Sequence, residues 1–424
     1  MIIASIFLFF LFSIGLCKSF YKTGLIITIW SQVLTLINID GGHTLLASLS
    51  FVALLVLFFK IVNKEIVLSE CPFWGAICFC IISYMLSFVI APQPVGLNGV
   101  GSMLALYIFP LISFYSISRI SSFYRFFLFN FILYAIVLLS VGMIEYINNV
   151  NIVQLWLESK SIMTTVEVRE DYLRYGYIRC RSLTSWCEPY GVSCGMIFIT
   201  LLYMIKTRVV SSIAVKLLIW IIVAIAFIGF LSSGTRTVYA CIVICSLSYF
   251  IYISKSPKYW FIAAFAGIIA YYGFEELIDE IIESMVNHEG SGGSTLEMRE
   301  GQFMTAFSEF MKSPLYGQGV GACNIAVKKY SALYGAESCL FYILIDRGII
   351  GLFSFILISL KIIKYTYRID RILIFIPIGI LVGRIASYFA DITDMYCLLF
   401  VLVIGKALED RRNCKFRLYE GTLV

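Results

Sequence analysis

The residues of this chain with chemistry to offer are arginines, carboxylates and a run of glycines, each standing at the edge of an apolar stretch. Arg179 and Arg181 alternate across the segment Arg179-Cys180-Arg181-Ser182-Leu183-Thr184-Ser185-Trp186-Cys187-Glu188-Pro189, where Glu188 precedes a proline able to open a helix. Two guanidinium forks at that spacing could clamp a diphosphate. They could equally pair with Glu167, Glu170 and Asp171. Arg236 sits in the short turn Ser232-Ser233-Gly234-Thr235-Arg236-Thr237 between two apolar runs, placed either to bind an anion or to snorkel to lipid headgroups.

Further along, Ser294 and Glu297 have the spacing of a capping box, which predicts a helix with Arg299, Phe303, Ala306 and Phe310 on one face. That helix must end before Pro314, and Pro314-Leu315-Tyr316-Gly317-Gln318-Gly319-Val320-Gly321 follows. Gly319 and Gly321 could present backbone N–H groups to an anion, or simply make a turn. No strand precedes them, so this is not a dinucleotide fingerprint. Glu337 comes just before an apolar run and is a candidate general base if partial burial raises its pKa. Asp346 and Arg347 lie inside that run and are expected to form an internal pair shaping a broken helix, with Arg384, Asp391 and Asp394 closing the same cavity.

The elements that must position these residues are membrane helices. Sixty per cent of the chain is hydrophobic, 14% is charged and the mean hydropathy is +0.92, values that leave no wetted surface for a soluble protein. At roughly 20 residues per span, about thirteen spans would take about 260 residues and leave loops as the remainder. Suitable apolar runs fall near 2–17, 23–39, 44–60, 73–91, 100–118, 126–146, 189–205, 213–231, 238–254, 259–274, 340–360, 372–389 and 393–405. The expected fold is an all-α polytopic membrane protein of about 12–13 transmembrane helices with two long outer loops containing short helices. Its parts are an N-terminal bundle of about six spans (1–146), a first long loop (147–188), a four-span central bundle (189–274), a second long loop (275–338), C-terminal spans (339–405) and a basic tail (406–424).

Ile2 to Leu16 has no basic residue before it and no small-residue cleavage pattern after it, so it reads as a retained helix. If the spans alternate, one set of connections holds Lys18, Lys22, Lys60, Lys64, Arg119, Arg125, Lys206, Arg208 and others, amounting with the tail to 20 of the 32 basic residues. That side is cytoplasmic by the positive-inside rule, which puts the C-terminus inside and the long loops outside. The amphipathic stretch Leu277, Ile278, Ile281, Ile282, Met285 and Val286 reads as a structural helix on the membrane or against the bundle.

The same inventory excludes several classes. Two histidines, His43 and His288, and no CxxC or HExxH spacing argue against a transition-metal site. The net charge of +6 does not point to nucleic acid, because in a membrane protein the placement of basic residues says more than their sum. Most of the thirteen cysteines sit in apolar runs as small hydrophobes; Cys180 and Cys187 share a loop and could pair in an oxidising compartment.

Taken in order, Ser233-Gly234-Thr235-Arg236, then Arg299 opening a helix, then Pro314-Leu315-Tyr316-Gly317-Gln318-Gly319, then Glu337-Ser338 leading to Gly348-Ile349-Ile350-Gly351-Leu352, the chain resembles the bacterial O-antigen polymerases (Wzy type) and the related O-antigen ligases. The resemblance spans roughly 170 to 365. It implies a GT-C-like membrane glycosyltransferase of the inner membrane, active at the periplasmic face without metal, cofactor or nucleotide sugar. Such an enzyme moves glycan from undecaprenyl diphosphate onto an acceptor. Its implied partners are the undecaprenyl-diphosphate-linked oligosaccharide, the bilayer, and a chain-length regulator and flippase of the same pathway, with no nucleic acid. Arg236 matches the family's between-span arginine, and Arg181, with Arg179 as competitor, matches the one ending the first long loop. Glu337 would be catalytic with Arg236 and Arg181, while Arg299, Arg179, Glu188, Gly319 and Gly321 would bind diphosphate or glycan. Ligases carry a histidine near Glu337-Ser338, so this departure favours a polymerase. An O-antigen ligase is the near alternative, and a lipid-linked oligosaccharide flippase the alternative from another class; against a transporter stands the lack of a convincing internal repeat.

Overall fold

A computed structural model describes residues 2–37, 44–153, 155, 173–174, 177–184, 186–210, 212–253, 296–330, 333, 338–386 and 392–412. The chain is an all-α membrane protein. Its helices are α1 (Ile2–Lys18), α2 (Phe20–Ile29), α3 (Ser31–Leu36), α4 (Leu45–Val62), α5 (Trp74–Val89), α6 (Leu97–Arg119), α7 (Phe123–Asn148), α8 (Cys187–Lys206), α9 (Ile213–Ser232), α10 (Arg236–Ile253), α11 (Leu296–Phe310), α12 (Ala322–Lys329), α13 (Cys339–Ile369), α14 (Phe375–Ala386) and α15 (Ile392–Arg412). Strands β1 (Leu173–Arg174) and β2 (Tyr177–Ile178) make a minimal antiparallel ladder in the first long loop.

Every expected apolar run forms helix except 259–274, which lies outside the described residues together with the amphipathic stretch 277–286. Seven of the helices are long and apolar enough to cross a membrane. Helix is the form such runs must take in lipid, because each backbone N–H finds its carbonyl within the same segment. Side chains such as Leu55, Phe58 and Phe59 on α4, Phe129 on α7 and Leu217 and Ile221 on α9 point fully outward, as lipid-facing residues do.

Two cores hold the bundle. One gathers α7, α8, α9, α10 and α14; the other gathers α1, α2, α4, α5 and α6. Helix α15 joins them, with Leu399, Phe400 and Val403 in the first and Leu398 and Leu402 in the second. Small residues allow the closest approach: a Cβ on Gly379 of α14 would lie 2.7 Å from the Cys241 carbonyl oxygen of α10.

The connections sort to two ends. At one, the Arg119 Nη2 donates to the Glu65 carbonyl at 3.2 Å and the Arg411 Nη1 to the Lys206 carbonyl at 2.8 Å. At the other, the Thr44 amide donates to Asn98 Oδ1 at 3.0 Å, the Val320 amide reaches the Ser87 carbonyl at 3.3 Å, and the Ser338 hydroxyl reaches the Ile385 carbonyl at 2.6 Å. Helices therefore alternate in direction as the basic connections require. The first end collects the lysines and arginines of the short connections, the second the polar loops.

Candidate functional site

At the polar-loop end, the segment 179–184 is held by one buried acid. Glu145 closes α7 with no exposed surface; its Oε2 accepts from the Arg181 and Ser182 amides at 3.0 and 2.7 Å, and its Oε1 from the Ile152 amide at 3.1 Å. Three amide donors stabilise a carboxylate where solvent is absent. Ser182, with φ of 50°, turns the chain sharply, and its hydroxyl donates to the Leu138 carbonyl at 2.6 Å. Nothing in the sequence reading identified Glu145. The available signal was an acid at the end of an apolar run.

The turn separates the two arginines. Arg181 points inward, 1% exposed, and its Nε and Nη2 donate to the carbonyl of Thr184 in its own loop at 3.1 and 3.0 Å. Arg181, expected among the catalytic residues, thus braces its own loop from a buried position. Arg179 points the other way, toward the turn between α9 and α10. Its Nη2 donates to Glu188 Oε1 and to Thr235 Oγ1, both at 3.0 Å, and the Cys180 amide donates to the Ser232 carbonyl at 3.0 Å. Burial alone would make the Arg179 guanidinium easier to deprotonate, yet Cys187 and Glu188 beside it push its pKa up, so the charge is secure. The expected pairing with Glu167, Glu170 or Asp171 falls outside the described residues. The acid that Arg179 meets is Glu188, which stands in the first turn of α8.

Arg236 is the first residue of α10 and half-buried, one residue from Thr235. Gly234, with φ of 62°, leaves room for the arginine beside it, since a Cβ there would come 2.9 Å from Arg179 Cγ. The result is a compact site in which Arg179, Glu188, Thr235 and Arg236 share the start of α10, whose dipole favours an anion. Cys180 and Cys187, which share a loop and could have paired, are both buried free thiols. Burial pushes the Cys180 thiol up to about 12.

The glycine run builds a different structure. Helix α13 breaks at Gly348, whose φ of 60° and ψ of −153° belong to a region essentially reserved for glycine. Into the break fits Pro314–Gly321. The Ile349 amide donates to the Pro314 carbonyl at 2.9 Å, the Gln318 amide to the Ile345 carbonyl at 2.7 Å and the Gly319 amide to the Asp346 carbonyl at 3.0 Å. Asp346 then caps α12, its Oδ2 accepting from the Gly321 amide at 3.1 Å and its Oδ1 from the Cys323 amide at 2.7 Å. The N–H groups of Gly319 and Gly321, which the sequence could have offered to an anion or to a turn, donate to Asp346. The Asp346 carboxylate faces α12, while the Arg347 guanidinium lies over the Tyr84 ring of α5, 4.0 Å from its centroid.

Among the remaining candidates, Arg299 lies on α11, its side chain outside the described residues. The buried face of that helix consists of Gln302, Ala306, Glu309 and Phe310, whereas Phe303, expected on it, is 55% exposed. Glu337, Asp391 and the Ser294 cap lie outside the described residues, as does the side chain of Asp394. Arg384 of α14 lies over Phe355 of α13, its guanidinium 4.9 Å from the ring centroid. Among the described residues, no group of histidine, cysteine and acidic side chains could hold a metal ion.

Residues 221–356, about a third of the chain, match a family model described as O-antigen ligase, Wzy_C. The matched segment takes in Arg236, Arg299, the glycine loop, Glu337 and the break in α13, and it leaves Arg179, Glu188 and Arg384 outside. No curated protein matches the chain.

Proposed function

We propose that this chain is a surface-polysaccharide polymerase of the inner membrane, which transfers the growing glycan from undecaprenyl diphosphate to an incoming lipid-linked repeat unit at the periplasmic face. The observation that carries the reading is the pair Arg179 and Arg236 at the start of α10, within and beside the segment similar to O-antigen ligases. In the reaction, a hydroxyl oxygen of the acceptor sugar attacks the anomeric carbon of the donor. The bond from that carbon to the diphosphate oxygen breaks, and inversion results. The departing lipid diphosphate gains negative charge, which fixed guanidinium groups and the α10 amides stabilise without a metal. Glu337 accepts the proton of the attacking hydroxyl, and Arg299 binds the glycan or diphosphate.

The description of the matching family supports a second reading, in which the acceptor is the lipid A core and the enzyme a ligase. The Glu337-Ser338 pair, where ligases carry histidine, favours the polymerase. Deleting the protein separates the two: loss of a polymerase leaves lipid A core capped with one repeat unit, and loss of a ligase leaves bare core. In complemented cells, Arg236→Ala is expected to accumulate in the membrane at the normal level and yield no long-chain polysaccharide. A normal ladder from that variant would remove the assigned role.

A further inference from the structure

A second pair of arginines lies away from the α9–α10 turn. Arg347 and Arg384 both line a cleft between α5, α6, α13, α14 and α15. Three helices agree on where they stand in it. Along α5 the lining runs from Tyr84 to Phe73, along α13 from Ser354 to Ile362, and along α14 from Arg384 to Pro377. In each case the arginine end comes first and, apart from Cys80, Ser354 and Ser359, only apolar side chains lie beyond. At 1.5 Å per residue, the Tyr84–Phe73 wall is roughly 16 Å long. Tyr84 and Tyr107, with ring centroids 6.2 Å apart, add phenol groups at the charged end.

Arg347 is 9% exposed and lies on a ring, so its guanidinium is held at one place in a low-dielectric wall. Two cations above a long apolar slot form the complement of an anionic head on a hydrocarbon tail.

We propose that this cleft seats the chain of a second polyprenyl diphosphate, that of the incoming acceptor rather than of the donor at Arg179 and Arg236, with its diphosphate against Arg347 and Arg384. The choice of that lipid rests on the glycan-transfer reading; the pairing of slot and cations does not.

The test uses the purified full-length chain in detergent and native mass spectrometry, with undecaprenyl diphosphate, undecaprenol and phosphatidylglycerol as probes. Undecaprenyl diphosphate is expected to be retained about tenfold or more better than undecaprenol, the value of a charge-assisted hydrogen bond or two. Arg384→Gln should lose about tenfold in binding of the diphosphate lipid by the same measure. Ile358→Trp, which fills the slot and leaves both guanidinium groups in place, should weaken both polyprenyl lipids. Equal retention of diphosphate and alcohol would overturn the proposal, as would preference for phosphatidylglycerol or undiminished binding to Ile358→Trp. Folding failure in a variant is bypassed on the unaltered chain: a diazirine near the head of the polyprenyl tail should crosslink within 73–84 or 354–362, and adducts confined elsewhere would refute the seat. Binding is the readout throughout. Failure of Arg236→Ala to stop polymer formation would strike the proposed reaction and leave this result to stand or fall by itself.

Discussion

Arg179 and Arg181 are two positions apart and chemically identical, yet Glu145 and the turn at Ser182 send one into the protein and the other to the α9–α10 turn. Their substitutions should therefore fail differently. Arg181→Ala strands the Thr184 carbonyl inside the protein, at a cost of about 1 to 3 kcal/mol. A lower melting temperature of the detergent-purified protein is expected. Arg179→Ala should keep its melting temperature closer to the original and lose chain extension in cells, scored on a polysaccharide ladder. If Arg181→Ala melted normally and Arg179→Ala unfolded, the roles would be reversed. Sequence spacing could not choose between them. In an extended segment, residues two apart share a face, and only the turn at Ser182 and an acid more than thirty residues upstream send the two side chains apart.

At the scale of elements, the sequence shows its glycines but not their use. The run Gly317, Gly319, Gly321 invites an anion-nest reading because local sequence cannot reveal that another helix breaks beside it. The Gly348 break follows Asp346-Arg347, the charged pair expected to shape a broken helix, but local sequence does not reveal the loop that fits into it. A Cβ at Gly348 would stand 2.6 Å from the Pro314 carbonyl oxygen and 2.7 Å from that of Leu315. Gly348→Ala should thus cost more than the ~1–3 kcal/mol of the backbone strain alone, read as loss of folded protein on size-exclusion chromatography. Gly301→Ala is the control: nothing lies within 4 Å of a Cβ there, and alanine suits a helix better by about 1 kcal/mol, so its melting temperature should hold or rise. Glu309 ties α11 to the same loop. Burial alone would raise its pKa, but hydrogen bonds from Lys312, Tyr330 and Gln318 outweigh that and hold the carboxyl below its usual range. A depressed folded-state pKa stabilises above the unfolded value of about 4.3 and is lost as pH falls through the folded one. The protection of α11 amides against hydrogen exchange, relative to an unstructured peptide at the same pH, should therefore fall below about pH 4 in the unaltered chain. In Glu309→Gln that protection should already be low at neutral pH and unchanged by acid; matching profiles would refute the tie.

Across the whole molecule, hydropathy located the helices well because lipid leaves backbone polar groups no partner but their own helix. It misjudged details set by packing, such as the split of the run 23–39 into α2 and α3 around Trp30, and it could not rank arginines by the company they keep. Sidedness joins the sequence to the proposed chemistry. The basic connections meet at one end through Arg119 with Glu65 and Arg411 with Lys206, while the site and the 90–97 connection share the other, a Cβ on Gly319 falling 2.5 Å from the Ile90 carbonyl oxygen. The proposed reaction, with the positive-inside rule, requires the first end to face the cytoplasm. Gln93 and Lys64 are exposed at opposite ends, and Cys17 is an exposed native thiol. In a Cys17→Ser background, Gln93→Cys should react with a membrane-impermeant maleimide in intact spheroplasts, and Lys64→Cys only after the membrane is opened. The opposite pattern would place Arg179 and Arg236 in the cytoplasm. There they could not meet a glycan already carried outside on its lipid, and the proposed reaction would fail on geography before any question of catalysis arose.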